Sequence, residues 1–213
     1  MLRTVLASSA FALAGWLSAS WLTEGFEVVT AEGARRRAVA LAPVPAPHAM
    51  LLGRGVTGHS LHGLLAGPGR VTIVSFIYTR CPTVCRALGG SLQQLQEALS
   101  APDSPPGIQL LSLSFDPAHD DIGQLQRYAS QWHADSRHWH VATAPDAAQL
   151  QGLLAAWQVV VVPDGLGGYE HNAALLVVDA RGRLVRVFDD TESAAALAFA
   201  RSLLPARQTG ALW

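Results

Sequence analysis

The segment Val71-Thr-Ile-Val-Ser-Phe-Ile-Tyr-Thr-Arg-Cys81-Pro82-Thr-Val-Cys85-Arg86 constrains the fold more than any other. A run of β-branched and aromatic residues ends at Thr79-Arg80, and Leu88, Leu92, Leu95 and Leu99 follow at helical spacing. The pattern predicts a strand over Val71–Tyr78 and a helix from about Thr83 to Ser100. The only two cysteines of the chain fall at the junction. A helix start has unpaired backbone N–H groups and the positive end of the macrodipole, and both favour a thiolate over a thiol. Arg80 and Arg86 add positive charge beside them. Two inert, unrelated thiols are the bland alternative; the strand, the Pro and the helix start around them argue against it.

Three residues separate Cys81 from Cys85, where a redox motif of the thioredoxin kind has two. On a helix this spacing puts the sulfurs about one turn apart, where they share a soft metal or close a disulfide. Phe76-Ile-Tyr-Thr-Arg-Cys-Pro-Thr-Val-Cys85 resembles the copper-binding motif of the Sco/SenC family, the copper chaperones of cytochrome c oxidase assembly. The resemblance implies a thioredoxin-like fold and one copper held by both cysteines and a His much later in the chain. Arg86 stands where the family usually has a second Pro.

Later blocks extend the resemblance. Ile108–Phe115 reads as a buried strand ending in Asp116-Pro117, with a helix over Asp120–Trp132. This matches the family's strand–Asp-Pro–helix block. Asp116 is a candidate for the surroundings of the metal, because sites in open α/β sheets lie at strand C-termini; its plainer reading is a helix-entry or turn residue. Tyr169–Asp179 runs from the Gly-rich loop Pro163–Gly168 into a strand, Leu184–Phe188 pairs with it, and Thr191–Leu204 closes the chain as a helix. The resemblance carries the third ligand role onto His171, on a loop expected to be flexible. On sequence alone a lone His before a strand is a loop residue. His138 and His140 share a strand face; as a pair they could bind metal, but they read as solvent-facing, as His59 and His62 read as loop residues.

The order of elements predicts an α/β fold of the thioredoxin-like kind: a central mixed sheet flanked by helices, preceded by a hydrophobic anchor helix. Val5–Leu22 is an uncharged run of 18 residues, near the lower limit of about 17–25 for a membrane span. Ser18-Ala19-Ser20 also offers small residues for signal cleavage, so a retained anchor and a cleaved signal both fit. Either one places the domain on the exported, periplasmic side of a bacterial inner membrane, although Arg35-Arg36-Arg37 runs against the positive-inside tendency. The expected divisions are a signal or anchor over 1–29, a stiff Pro-rich linker over 30–50, a copper-binding domain over 51–206 and a tail over 207–213. Leu51–Arg70 reads as a reduced form of the family's N-terminal hairpin.

A net charge of −1 with no basic stripe excludes a nucleic-acid partner, and two cysteines exclude a disulfide scaffold. Two thiolates and one imidazole select Cu(I) and also hold Cu(II), whereas a structural zinc site prefers four ligands. The resemblance implies delivery of copper to the binuclear site of cytochrome c oxidase subunit II, or to another copper-receiving protein. It also implies reduction of that site's cysteines by Cys81 and Cys85 as a redox pair. A copper donor and a thiol reductant are the further partners expected. The competing class is a metal-free thiol–disulfide oxidoreductase or peroxidase of the same fold.

Overall fold

The structure, a computed structural model, describes residues 2–23, 25, 29–81 and 84–205, with only the backbone of residues 84–86. The expected tail, 207–213, lies outside the described residues. The elements in chain order are α1 (Leu2–Leu22), α2 (Ala31–Leu41), β1 (Val44–Pro45), α3 (Leu61–Leu65), β2 (Val71–Ile77), α4 (Val84–Ser100), β3 (Ile108–Ser114), α5 (Ile122–Gln131) and β4 (Trp139–Thr143). They continue with α6 (Ala147–Ala156), β5 (Val161–Pro163), β6 (Tyr169–His171), β7 (Ala174–Val178), β8 (Arg183–Asp189) and α7 (Ser193–Ser202).

Six strands form one sheet in the order β1-β8-β7-β2-β3-β4. β2, β3 and β4 run parallel to one another, while β7, β8 and β1 join by antiparallel pairings. This is the mixed sheet of a thioredoxin-like fold. β2 is buried along its whole length, as a central strand covered on both faces must be. Its side chains alternate between two cores. Val71, Ile73 and Ile77 meet Leu88, Leu92, Leu95 and Leu99 of α4, with Leu125 of α5 and Ala196 of α7. Val74 and Phe76 meet Leu61 and Leu65 of α3, Trp157 after α6, and Val39 of α2. Each leucine buried in this way contributes about 2 kcal/mol. Gly89 lets α4 lie against Trp132, whose ring a Cβ at that position would strike.

Residues 30–50 differ from the expected spacer. Ala31–Leu41 is a helix that buries Arg35 and Val39, and Thr30 caps it by accepting the Gly33 N–H at 3.0 Å. Ala, Glu and Arg are strong helix formers, so the stretch folds once Val39 has a core to enter. The prolines begin only after it, and β1 lies at the sheet edge beside β8, where a Pro is tolerated. In Leu51–Arg70, isolated bridges join Met50 to Ser60 and Leu52 to Thr143, and α3 follows.

α1 is long and apolar enough to cross a membrane by length and composition, and none of its residues is buried.

Candidate metal centre

β2 ends in a turn in which the Cys81 N–H donates to the Tyr78 carbonyl at 3.3 Å. The loop after β3 braces this turn. Thr79 donates to Asp120 from its N–H at 3.0 Å and from its hydroxyl at 2.6 Å. Asp120 is fully buried and also accepts the Ser114 hydroxyl. Arg80 Nη2 donates to Asp116 Oδ2 at 2.7 Å, and His119 Nδ1 lies 2.9 Å from Asp116 Oδ1. Asp116 is only 3% exposed. Burial alone would raise its pKa; the bonds to Arg80 and His119 prevail and hold it below the usual carboxylate range. The same hydrogen bond raises the pKa of Arg80. Cys81 itself is half-buried and packs on the core that contains Tyr78 and Phe115.

His171 ends β6, which pairs with β5 in a separate two-stranded sheet. The loop between them is closed by Asp164, which accepts the N–H groups of Leu166 at 2.7 Å and Gly168 at 2.9 Å. Gly165 and Gly167 supply positive φ values of 75° and 88°. The segment expected as a flexible loop is therefore a hydrogen-bonded hairpin. The single strand expected over 169–179 is broken at Asn172-Ala173, where the Ala173 N–H turns back onto the His171 carbonyl at 2.9 Å.

The hairpin reaches the cysteine turn through aromatic residues. The Tyr78 hydroxyl donates to the Tyr169 carbonyl and accepts the Tyr169 N–H, each at 3.3 Å. Phe115 stands edge-on to Tyr169 at 5.6 Å and to the His171 ring at 5.0 Å. Both ring nitrogens of His171 are buried with no hydrogen-bond partner among the described residues. Burial lowers its pKa, so the imidazole is neutral at pH 7 and its lone pair is available.

Of the sequence-predicted residues, Cys81, Asp116 and His171 come to one end of the sheet, around Tyr78, Phe115 and Tyr169. The Cys85 side chain, like Pro82, Thr83 and the Arg86 side chain, lies outside the described residues. Among the described residues no three His, Cys, Asp or Glu side chains form a metal cluster. Asp116 is a turn residue, its carbonyl accepting the His119 and Asp120 N–H groups at 3.0 and 2.8 Å, and its carboxylate also holds Arg80. His59 and His62 are exposed; His138 precedes β4, and His140 is half-buried on it. The contacts of Tyr78 and Asn172 escaped the sequence reading, and Asp120 was read only as part of the Asp-Pro–helix block. Asp120 had a signal in its place after Asp116-Pro117, but its bond to Thr79 spans 41 residues.

The SCO1/SenC family model matches residues 66–201, well over half of the chain. The chain belongs to the SCO1/SenC family. A SCO1 protein homolog of Bacillus subtilis (strain 168) is 24% identical over 127 residues, which span 59% of this chain and 65% of that protein. Among solved structures, ScoI of Bradyrhizobium japonicum with copper bound aligns with a TM-score of 0.61 and 22% identity, covering 75% of this chain and 99% of that one. BsSco, described as carrying a disulfide switch and as a member of the Sco family of cytochrome c oxidase assembly proteins, aligns with a TM-score of 0.64 and 19% identity. That alignment covers 76% of this SCO1/SenC chain and 94% of BsSco.

Proposed function

We propose that this SCO1/SenC protein is a copper chaperone that holds one copper through Cys81, Cys85 and His171. The observation that carries the reading is the His171 ring: two buried nitrogens with no hydrogen-bond partner among the described residues, edge-on to Phe115 of the core on which Cys81 also packs. A buried polar atom without a partner is costly, and a metal ion relieves that cost. Relatives solved with copper bound support the choice of metal, as does the softness of a two-thiolate, one-imidazole donor set.

Neutral His171 accepts a metal without losing a proton, whereas each thiol must lose one. The start of α4 and Arg80 favour that loss at the cysteines. Three ligands leave the copper open to a fourth from an incoming protein, so transfer proceeds by stepwise ligand exchange. The acceptor is the binuclear site of cytochrome c oxidase subunit II; the family's description in oxidase assembly supports this choice. α1 serves as anchor or export signal and puts the domain on the periplasmic side.

A second activity uses the same sulfurs. Cys81 and Cys85 become a disulfide while a disulfide of the acceptor becomes two thiols, so two electrons and two protons pass across. Forming that disulfide removes both sulfur donors, and redox state gates copper loading. The relative described as carrying a disulfide switch supports it.

The test loads the reduced protein with one equivalent of copper and mixes it with the reduced soluble domain of an oxidase subunit II. Copper is expected to move to the acceptor and to be recovered there after separation. Copper that stays on this protein, or none bound at the start, contradicts the chaperone reading. Reduction of an oxidised acceptor by a chain that binds no copper would favour the oxidoreductase.

A further inference from the structure

Asn172 directly follows His171, and its side chain is held at both polar atoms. Oδ1 accepts the Val160 N–H at 2.8 Å. Nδ2 donates to the Gln158 carbonyl at 3.2 Å and to Glu32 Oε2 at 3.3 Å. The same Gln158 carbonyl accepts Arg35 Nη1 at 3.0 Å. Glu32 Oε2 lies 3.5 Å from Arg35 Nε, and Arg35 is 5% exposed. Glu32 and Arg35 both belong to α2, 140 and 123 residues away from the positions they hold.

The place of this clamp is informative. Gln158 ends α6 in a Schellman motif: its N–H donates to the Ala155 carbonyl and the Val159 N–H to the Leu154 carbonyl. That motif wants Gly at the left-handed position, yet Gln158 occupies it with φ of 52°. The bonds from Arg35 and Asn172 over-determine a conformation the residue would otherwise avoid. The hairpin of β5 and β6 lies outside the main sheet, so these bonds and the Tyr78 hydroxyl are its polar moorings. One mooring lies on each side of His171. The imidazole makes no hydrogen bond of its own among the described residues, so its aim depends on the Phe115 ring beside it and on the backbone that carries it.

The geometry points to α2 as a working part of the metal centre: Glu32, Arg35 and Asn172 are positioning residues that aim His171 at copper. This rests on His171 being the third ligand. Groups that orient a metal ligand typically change affinity by about 10–100-fold when removed. Here they act through the main chain that follows the ligand, and they tie it to the helix that follows α1 in the chain.

The test uses the full chain in detergent, reduced and then loaded with Cu(II). Copper affinity is measured by chelator competition, and nitrogen coordination by the hyperfine structure in electron paramagnetic resonance. Wild type, Glu32→Ala, Glu32→Gln, Asn172→Ala and His171→Ala are compared. Asn172→Ala is expected to weaken affinity about 10-fold and to broaden or shift the nitrogen signal, with a smaller change of the same kind in Glu32→Ala. Glu32→Gln keeps an acceptor for Asn172 and is expected to stay near wild type. Glu32 is a partly exposed side chain, so its variants decide the matter if Asn172→Ala fails to fold. Wild-type affinity and spectrum in both alanine variants, with the nitrogen signal lost only in His171→Ala, would overturn the role of α2 and leave the ligand set standing. An unchanged spectrum in His171→Ala would overturn the ligand set, and this inference with it.

Discussion

Arg80, the residue before Cys81, donates a 2.7 Å hydrogen bond to Asp116, a carboxylate that is almost fully buried. The cysteine turn is thus fastened to the end of the neighbouring strand, and its position depends on an ion pair set by the second loop. Because Arg80 is partly exposed, the value of the pair comes from satisfying a buried carboxylate more than from Coulomb attraction.

Asp116→Asn is expected to destabilise the fold by about 1.5–3 kcal/mol at neutral pH, the usual worth of hydrogen bonds to a charged group. The native pKa of Asp116 lies below the ordinary 3.8, so the stability it supplies is complete above that value and is lost as pH falls through the native one. Urea unfolding from pH 7 down to 3 checks this: the gap between wild type and variant should close only below about pH 4. A gap independent of pH would mean that the charge of Asp116 is not what matters.

His171 is expected to titrate below its ordinary value of 6.5, because burial disfavours the imidazolium. The unfolded chain then binds the proton first, so stability is complete above pH 6.5 and declines as pH drops toward the native value. Nitrogen-15 spectra of the copper-free protein follow the ring directly. His140, lowered chiefly by burial as well, should behave alike, and His171→Ala identifies which signal is which. A midpoint at or above 6.5 for His171 would remove the argument for a ready neutral ligand.

Tyr78→Phe deletes the hydroxyl that brackets both backbone groups of Tyr169. The expected cost is about 1 kcal/mol, the net worth of such a bond. Amide exchange at Tyr169 and His171 should quicken while the β2 and β3 amides keep their protection. Equal acceleration throughout would show that the hydroxyl supports the whole domain rather than the hairpin.

His133 caps α5 with φ of 51°, a left-handed position where Gly is at ease. His133→Gly is expected to stabilise the protein by about 1 kcal/mol, or roughly 2–4 °C in Tm for a chain of this size. Differential scanning calorimetry reads the shift. A lower Tm would mean that the His133 side chain contributes more than its strained backbone costs.

Apart from the β5–β6 hairpin, the strands and helices from Val71 to Ser202 were legible because their periodicities are clean. β2 and β3 are continuous apolar runs, and the leucines of α4 keep one face. Thr30–Met50 was misread because Arg35-Arg36-Arg37 and three prolines look like a solvated spacer. The burial of Arg35 depends on the Gln158 carbonyl, a partner that no local pattern announces. The hairpin before His171 was misread for a related reason. Its glycines mark positive φ, which serves a tight turn as well as a loose loop, and the Asp164 bonds make it a turn. The positions of Cys81, Cys85 and His171 came from a motif, while Tyr78, Asp120 and Asn172 act through contacts far apart in sequence.

The most direct measurement is copper K-edge X-ray absorption on the reduced, copper-loaded protein, for wild type and His171→Ala. The account predicts a first shell of two sulfurs and one nitrogen in wild type, with the nitrogen lost in the variant and both sulfurs retained. A sulfur-only shell in wild type, or a nitrogen that persists without His171, would contradict it.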